Sequence, residues 1–129
     1  MDALMIDPPW IIENKENLWR EVRSCIPNLG LAYIAAVLER ENKTVKILDC
    51  TAERIAVNDI PALLDRFSPP RFIGITATTS LIANGLKIAR ICKERFPESK
   101  IVFGGIHPSI LPDEVLSDSS VDYVVRGEG

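Results

Sequence analysis

The stretch PPRFIGITATTSLIANGLKIARICKERFPESKIVFGG, residues 69–105, decides the fold. Pro69-Pro70 resets the chain, because proline carries no N–H to continue a ladder. Phe72 to Thr76 then reads as a strand. Thr78, Thr79 and Ser80 follow, all residue types that cap helices, and open a long helix spanning about Ser80 to Phe96. Lys100 to Phe103 is a second strand, ended by Gly104-Gly105. Two strands joined by a helix make a crossover unit, which places the strands parallel in one sheet.

Working outward, the same alternation fills the chain. The strands in order are β1 (Ala3 to Asp7, stopped by Pro8-Pro9), β2 (Thr44 to Leu48, ending at Asp49), β3 (Phe72 to Thr76), β4 (Lys100 to Phe103) and β5 (Val121 to Val125). A helix from about Leu29 to Glu41 carries Leu31, Ile34, Ala35 and Leu38 on one face. A shorter one carries Ile60, Leu63, Leu64 and Phe67 on one stripe, with Pro61 near its first turn. Pro112-Asp113-Glu114 has the proline and acids of a first helical turn. Residues 8–28 form a connection holding Trp10 and Trp19 that is long for a βα loop. The strands are near-continuous apolar runs, as expected when helices cover both faces. The fold class is therefore α/β: one domain, residues 1–129, with a doubly wound, mostly parallel five-stranded sheet. Its expected order is the flavodoxin-like 2-1-3-4-5, with ligands at the carboxyl ends of the strands.

Composition narrows the function classes. The chain has 129 residues, one domain's worth, and 47% of them are hydrophobic, enough for a buried core. Fifteen basic and 18 acidic residues give a net charge of −3 with no basic run, which argues against nucleic acid. No apolar run is long enough for a membrane span, and the first ten residues lack the charged and apolar regions of a signal peptide. Cys25, Cys50 and Cys92 are odd in number and far apart, so a disulfide framework is not expected and a cytoplasmic location is.

In this topology four loops converge on the carboxyl edge: Pro8-Pro9-Trp10, Thr76 to Ser80, Gly104 to His107, and Arg126 to Gly129. They hold small residues, hydroxyls and glycines, with few charges and no nucleophile beside a base. Glycine lets a ligand approach the backbone, and hydroxyls at a helix start suit a phosphate or an amide-rich ligand. Each feature also has a plain structural use. A glycine pair turns a strand into a loop, the Thr/Ser run caps a helix, and a lone histidine satisfies a core. Asp7 and Asp49 can cap turns, and the last glycines can serve as a hinge.

Taken as an ordered set, the loops carry a resemblance. The matching pieces are Asp7-Pro8-Pro9-Trp10, Pro27-Asn28-Leu29-Gly30-Leu31-Ala32-Tyr33, Val45 to Asp49, and Gly74-Ile75-Thr76-Ala77-Thr78-Thr79. They continue with Val102-Phe103-Gly104-Gly105-Ile106-His107-Pro108-Ser109 and Asp122 to Gly129. Together they cover nearly the whole chain. The chain resembles the amino-terminal cobalamin-binding domain of cobalamin-dependent radical S-adenosylmethionine (SAM) enzymes, a family of methyltransferases and anaerobic protoporphyrin ester cyclases. The family usually shows Pro-Pro-Leu-Gly where Pro27-Asn28-Leu29-Gly30 stands.

The resemblance implies a cobalamin against the carboxyl edge, with its nucleotide tail running down between sheet and helices. Thr76, Thr78 and Thr79 would contact the tail, Gly104 and Gly105 would let it pass, and His107 and Ser109 would line the β4 loop. Pro9, Trp10, Gly127 and Glu128 would border the groove. No catalytic residue and no protein metal ligand is expected. Many cobalamin-binding domains outside this family have Asp-x-His-x-x-Gly after β1, whose histidine ligates cobalt from below. Here the stretch is Asp7-Pro8-Pro9-Trp10-Ile11-Ile12, and the chain's only histidine, His107, follows β4. The expectation is that no histidine ligates the cobalt.

A radical SAM centre needs a Cys-x3-Cys-x2-Cys triad to hold its [4Fe–4S] cluster, and the three cysteines cannot form it. The expectation is a piece of a longer enzyme whose iron–sulfur cluster and SAM belong to a downstream domain. Other modules of this fold fit poorly. β3 lacks the terminal aspartate of a phosphoacceptor, β1 is followed by Pro8-Pro9-Trp10 and not a phosphate loop, and no Gly-x-Gly-x-x-Gly is present. The remaining alternative is a docking module of the same fold that has lost cobalamin.

Overall fold

The computed structural model describes residues 1–10 and 26–129. Most of the long connection read at residues 8–28 lies outside them, with Trp19 and Cys25. The elements run β1 (Ala3–Asp7), α1 (Leu29–Arg40), β2 (Val45–Asp49), α2 (Ile60–Leu64), β3 (Phe72–Thr76), α3 (Ile82–Arg95), β4 (Lys100–Gly104), α4 (Ile106–Ile110), α5 (Pro112–Leu116) and β5 (Tyr123–Val124). All strand pairs are parallel, in the order β2-β1-β3-β4-β5. The α/β architecture and the order 2-1-3-4-5 are those expected from the sequence.

Alternation along each strand sends successive side chains to opposite faces. Leu4, Ile6, Ile73, Ile75, Ile101 and Phe103 point one way and are essentially inaccessible to solvent. They pack against Ile60 and Leu64 of α2, Ile88, Ala89 and Cys92 of α3, and Val115 of α5 in one continuous core. Each such side chain contributes about 1.5–3 kcal/mol by leaving water. The other face is covered only in part. Ala3 and Met5 meet Leu31, Ile34 and Leu38 of α1 in a second, smaller cluster. Asn28 starts α1 by accepting a hydrogen bond from the Leu31 N–H at 3.2 Å.

Three local readings need correction. The hydroxyls of Thr78, Thr79 and Ser80 do not cap α3. Its N-cap residue is Leu81 with no side-chain cap, after a turn closed by the Leu81 N–H on the Thr78 carbonyl. The hydroxyls bond sideways instead, Thr78 with Ser80 at 3.0 Å and Thr79 with His107. Second, the segment after Gly104-Gly105, read as loop, is the short helix α4, with Pro108 in its first turn, where its missing N–H is harmless. Third, β5 is regular only at Tyr123–Val124. Residues 122 and 125 still donate to the Ile101 and Phe103 carbonyls, so the chain follows β4 without the full ladder geometry.

The amino edge is tied by two carboxylates. Asp118 accepts from both Nε and Nη2 of Arg90 and from Ser120, and Asp122 accepts from the Ile101 N–H at 2.8 Å and Lys93 Nζ at 2.9 Å. Burial opposes ionisation of both, but these donors outweigh it and hold both carboxyls below the ordinary carboxylate range. No helix among the described residues is long and apolar enough to cross a membrane.

Candidate functional site

The half of the sheet that α1 leaves uncovered is the floor of a groove of about 790 Å³. Its floor follows from strand register. One row aligns Met5, Gly74 and Val102, and the row above it ends in Thr76 and Gly104. α1 forms one wall through Leu31, Ile34 and Leu38, and Ile106, Ile110 and Val125 form the other. Polar side chains stand only at the mouths: Asn28, Thr76, Ser109 and Glu128 at the carboxyl edge, Asp2, Lys43 and Arg71 at the amino edge.

The glycines divide into two kinds. Gly105 has φ +98°, and a Cβ there would lie 2.9 Å from both the Ala77 carbonyl oxygen and Thr76 Oγ1, so the turn from β4 into α4 demands glycine. Gly104 is different. It lies on the groove side, and a Cβ there would meet nothing within 4 Å. The fold does not require glycine at 104; a ligand passing over the strand end would. At Gly74 a Cβ would fall 2.5 Å from Met5 Sδ, so the thioether lies across the bare backbone of β3.

The structure distributes the other candidate residues. Thr76, Gly104, Gly105, Ser109, Gly127 and Glu128 line the groove together. Ser109 is already engaged: its hydroxyl donates to the Gly105 carbonyl at 2.7 Å and accepts from the Gly127 N–H at 2.9 Å, fastening the segment after β5 to α4. Thr78, Thr79, Pro9, Trp10 and His107 are not among the lining residues. His107 is buried, its Nδ1 3.2 Å from Thr79 Oγ1 and its Nε2 3.2 Å from Glu114 Oε1, so it ties the β3 loop to α5. Trp10 is exposed, while the Pro9 carbonyl accepts from buried Asn84 Nδ2 at 2.8 Å. Asn84 escapes sequence reading because it sits inside the apolar stretch of α3 with no motif around it.

At the carboxyl edge Asp7 faces Asp49 on the neighbouring strand. Burial, then the Asp49 charge, raises the Asp7 carboxyl above its ordinary value, and a hydrogen bond with Asn28 works against this. Cys50 and Cys92 are free, buried thiols, both pushed up to about 12 chiefly by burial, and so are unreactive. Among the described residues no group of three or more His, Cys, Asp or Glu is placed to hold a metal ion.

A parallel doubly wound sheet with an apolar groove opening at its carboxyl edge defines an α/β ligand-binding domain. The chain belongs to the B12 binding domain family, which matches residues 18–129. It is 36% identical, over its whole length, to an uncharacterized methyltransferase, PH0819, of Pyrococcus horikoshii, covering 27% of that protein. It is 29% identical to the anaerobic magnesium-protoporphyrin IX monomethyl ester cyclase of Rubrivivax gelatinosus, over 84% of this chain and 20% of that one. In structure it is similar to the radical S-adenosylmethionine methyltransferase TsrM of Kitasatospora setae, solved with cobalamin and a [4Fe-4S] cluster. The TM-score is 0.74 at 21% identity, over 100% of this chain and 23% of that one. The chain thus spans about a quarter of the length of these proteins.

Proposed function

We propose that this chain is the cobalamin-binding module of a radical SAM enzyme. In this reading it presents the corrinoid at the carboxyl edge to a downstream iron–sulfur/SAM domain, for methyl transfer or related radical chemistry. The observation that carries the reading is the groove, whose floor is bare at Gly104 for no reason internal to the fold. Its volume of about 790 Å³ is in the range of a small-ligand pocket, roughly 300–1,000 Å³. It suits the nucleotide tail of a cobalamin and leaves the corrin ring outside, over the edge. When bound, the corrinoid supplies a cobalt that carries a methyl group or exchanges electrons.

This chain's residues bind and orient it. Gly104 leaves room for the tail to enter, the Thr76 hydroxyl offers a hydrogen bond beside it, and the Gly105 turn holds α4 clear. Gly127 and Glu128 border the mouth, with Glu128 presenting an exposed carboxylate to the corrin periphery, while Pro9 and Trp10 lie on the β1 loop outside the groove lining. Thr78, Thr79, His107 and Ser109 support the loops that shape it. Both nitrogens of His107 have protein partners, which supports a cobalt without an imidazole ligand from this chain. The free thiols support a reducing, cytoplasmic setting.

The test is titration with hydroxocobalamin, followed by visible absorbance and by retention through gel filtration. The expected result is saturable 1:1 binding, a spectrum without imidazole ligation, and at least a tenfold loss in Gly104→Leu with folding unchanged. An imidazole-ligated spectrum would overturn the ligation proposal. Failure to bind, both in this chain and in a longer protein that carries it, would leave the docking module.

A further inference from the structure

The groove carries an inference about which cobalamin it takes, and this rests on the cofactor reading above. We infer that the apolar middle of the groove, where Met5 lies across Gly74 beneath Leu31 and Ile34, selects corrinoids whose lower base is 5,6-dimethylbenzimidazole over those carrying adenine.

The floor runs the length of β3, five residues from Phe72 to Thr76, about 16 Å at ~3.3 Å per residue. A tail entering past Gly104 therefore lays its far end, the base, on the middle rows and not at the polar carboxyl mouth. Every lining residue between the two mouths is apolar. The sheet backbone offers nothing either: β1, β3 and β4 are each paired along both edges, so their N–H and C=O groups are already used. The backbone of α1 is committed in the same way within its helix.

The two bases share a flat bicyclic shape and one free imidazole nitrogen. They differ in what else they bury. Dimethylbenzimidazole adds two methyl groups, which Met5, Leu31 and Ile34 receive well; methionine in particular conforms to an irregular apolar partner. Adenine adds two ring nitrogens and an amine, each stripped of water with no partner, and an unpaired buried polar group costs about 1–3 kcal/mol. Gly74 is part of the device. A side chain there would push the Met5 thioether out into the space left for the base.

The experiment compares three ligands on the same protein by absorbance titration: cobalamin, its adenine-containing analogue, and cobinamide, which has no nucleotide. Cobalamin is expected to bind at least tenfold more tightly than the adenine form, with cobinamide weaker than cobalamin. Met5→Gln places an amide where adenine lacks a partner, and is expected to narrow that gap at least threefold with an unchanged circular dichroism spectrum. Cobalamin and the adenine form binding within threefold of each other would overturn base selection and leave the cofactor reading standing. Equal binding of cobalamin and cobinamide would remove the tail from the groove. If none of the three binds, either to this chain or to a longer protein that carries it, the cofactor reading itself fails, and base selection with it.

Discussion

The two faces of the sheet are built from the same strands and follow opposite rules. On the closed face every inward position of β1, β3 and β4 is a Leu, Ile or Phe, buried under α2, α3 and α5. On the open face the intervening positions of β3 and β4 include Gly74, Thr76, Val102 and Gly104, and only α1 lies over part of them. A strand buried on both sides by its own chain would be bulky on both. The thinning of one face, from one residue to the next along a single strand, marks where the molecule keeps space for something else.

The sharpest test of that contrast sets neighbouring residues on β4 against each other. Phe103→Ala removes the largest wholly buried side chain of the closed face, with an expected loss of about 3–5 kcal/mol. Val102→Ala, half-buried on the groove floor, is expected to cost about 1 kcal/mol or less. Chemical denaturation of the two variants measures the difference directly. Comparable losses would mean that the open face is as tightly packed as the closed one.

The adjacent glycines separate folding from binding in the same way. Gly105→Ala meets the Ala77 carbonyl at 2.9 Å and must hold φ +98°, so a loss of about 1–3 kcal/mol in stability is expected. Gly104→Ala meets nothing within 4 Å, and its stability is expected to stay within about 0.5 kcal/mol of the wild type. If Gly104→Ala destabilised the protein as Gly105→Ala does, its bareness would have a structural cause and the argument for a ligand would lose its main support.

Much of this contrast was legible in the sequence because strands, turns and their order are set by local pattern. Pro69-Pro70 before Phe72 and Gly104-Gly105 after Phe103 mark boundaries that the structure keeps to within a residue. What the sequence did not disclose depends on contacts between distant elements. The hydroxyls after β3 have the chemistry of an N-cap, yet the Thr79 hydroxyl goes to His107, 28 residues away. α4 was invisible because five residues containing a proline have too little periodicity to register. Likewise, the sequence contains both Gly104 and Gly105, but only the surrounding atoms show that one is required by the backbone and the other is not.

The two ends of the sheet differ as the two faces do, since Asp118 and Asp122 at the amino edge are held ionised by their donors while Asp7 at the carboxyl edge is disfavoured as a carboxylate by burial and by Asp49. Asp122→Ala leaves the Ile101 N–H without its side-chain acceptor and Lys93 with the Ser99 carbonyl but no carboxylate, and a loss of about 1–3 kcal/mol is expected at neutral pH. The pH dependence follows from the sign of the shift. The Asp122 and Asp118 carboxyls sit below the ordinary value of 3.8. Their contribution is therefore complete above about pH 4 and disappears as pH falls through their lowered folded values. Thermal melts of wild type and Asp122→Ala should converge as pH falls through the lowered folded value of Asp122. Parallel curves through that value would show that Asp122 acts by packing and not by charge.

Asp7 at the opposite edge gives the smallest effect and the opposite sign. Its carboxyl is raised above 3.8, first by burial and then by Asp49. The folded chain thus holds the proton more tightly than the unfolded one, and the ionised group costs stability at neutral pH. Asp7→Asn should stabilise the protein at pH 7 by less than about 1 kcal/mol, because solvent screens a half-buried pair. The gain should fade as pH falls through the folded value, where the wild type itself becomes neutral. A carboxylate kept at a small cost in stability, bonded to Asn28 of the groove's mouth, makes Asp7 a test of whether this edge answers to a ligand or to the fold. The comparison can be sharpened by repeating the melts with hydroxocobalamin. If Asp7→Asn gains stability alone but loses part of the stabilisation that the ligand confers, the carboxylate serves binding; if the ligand stabilises both equally, Asp7 belongs to the loop geometry alone.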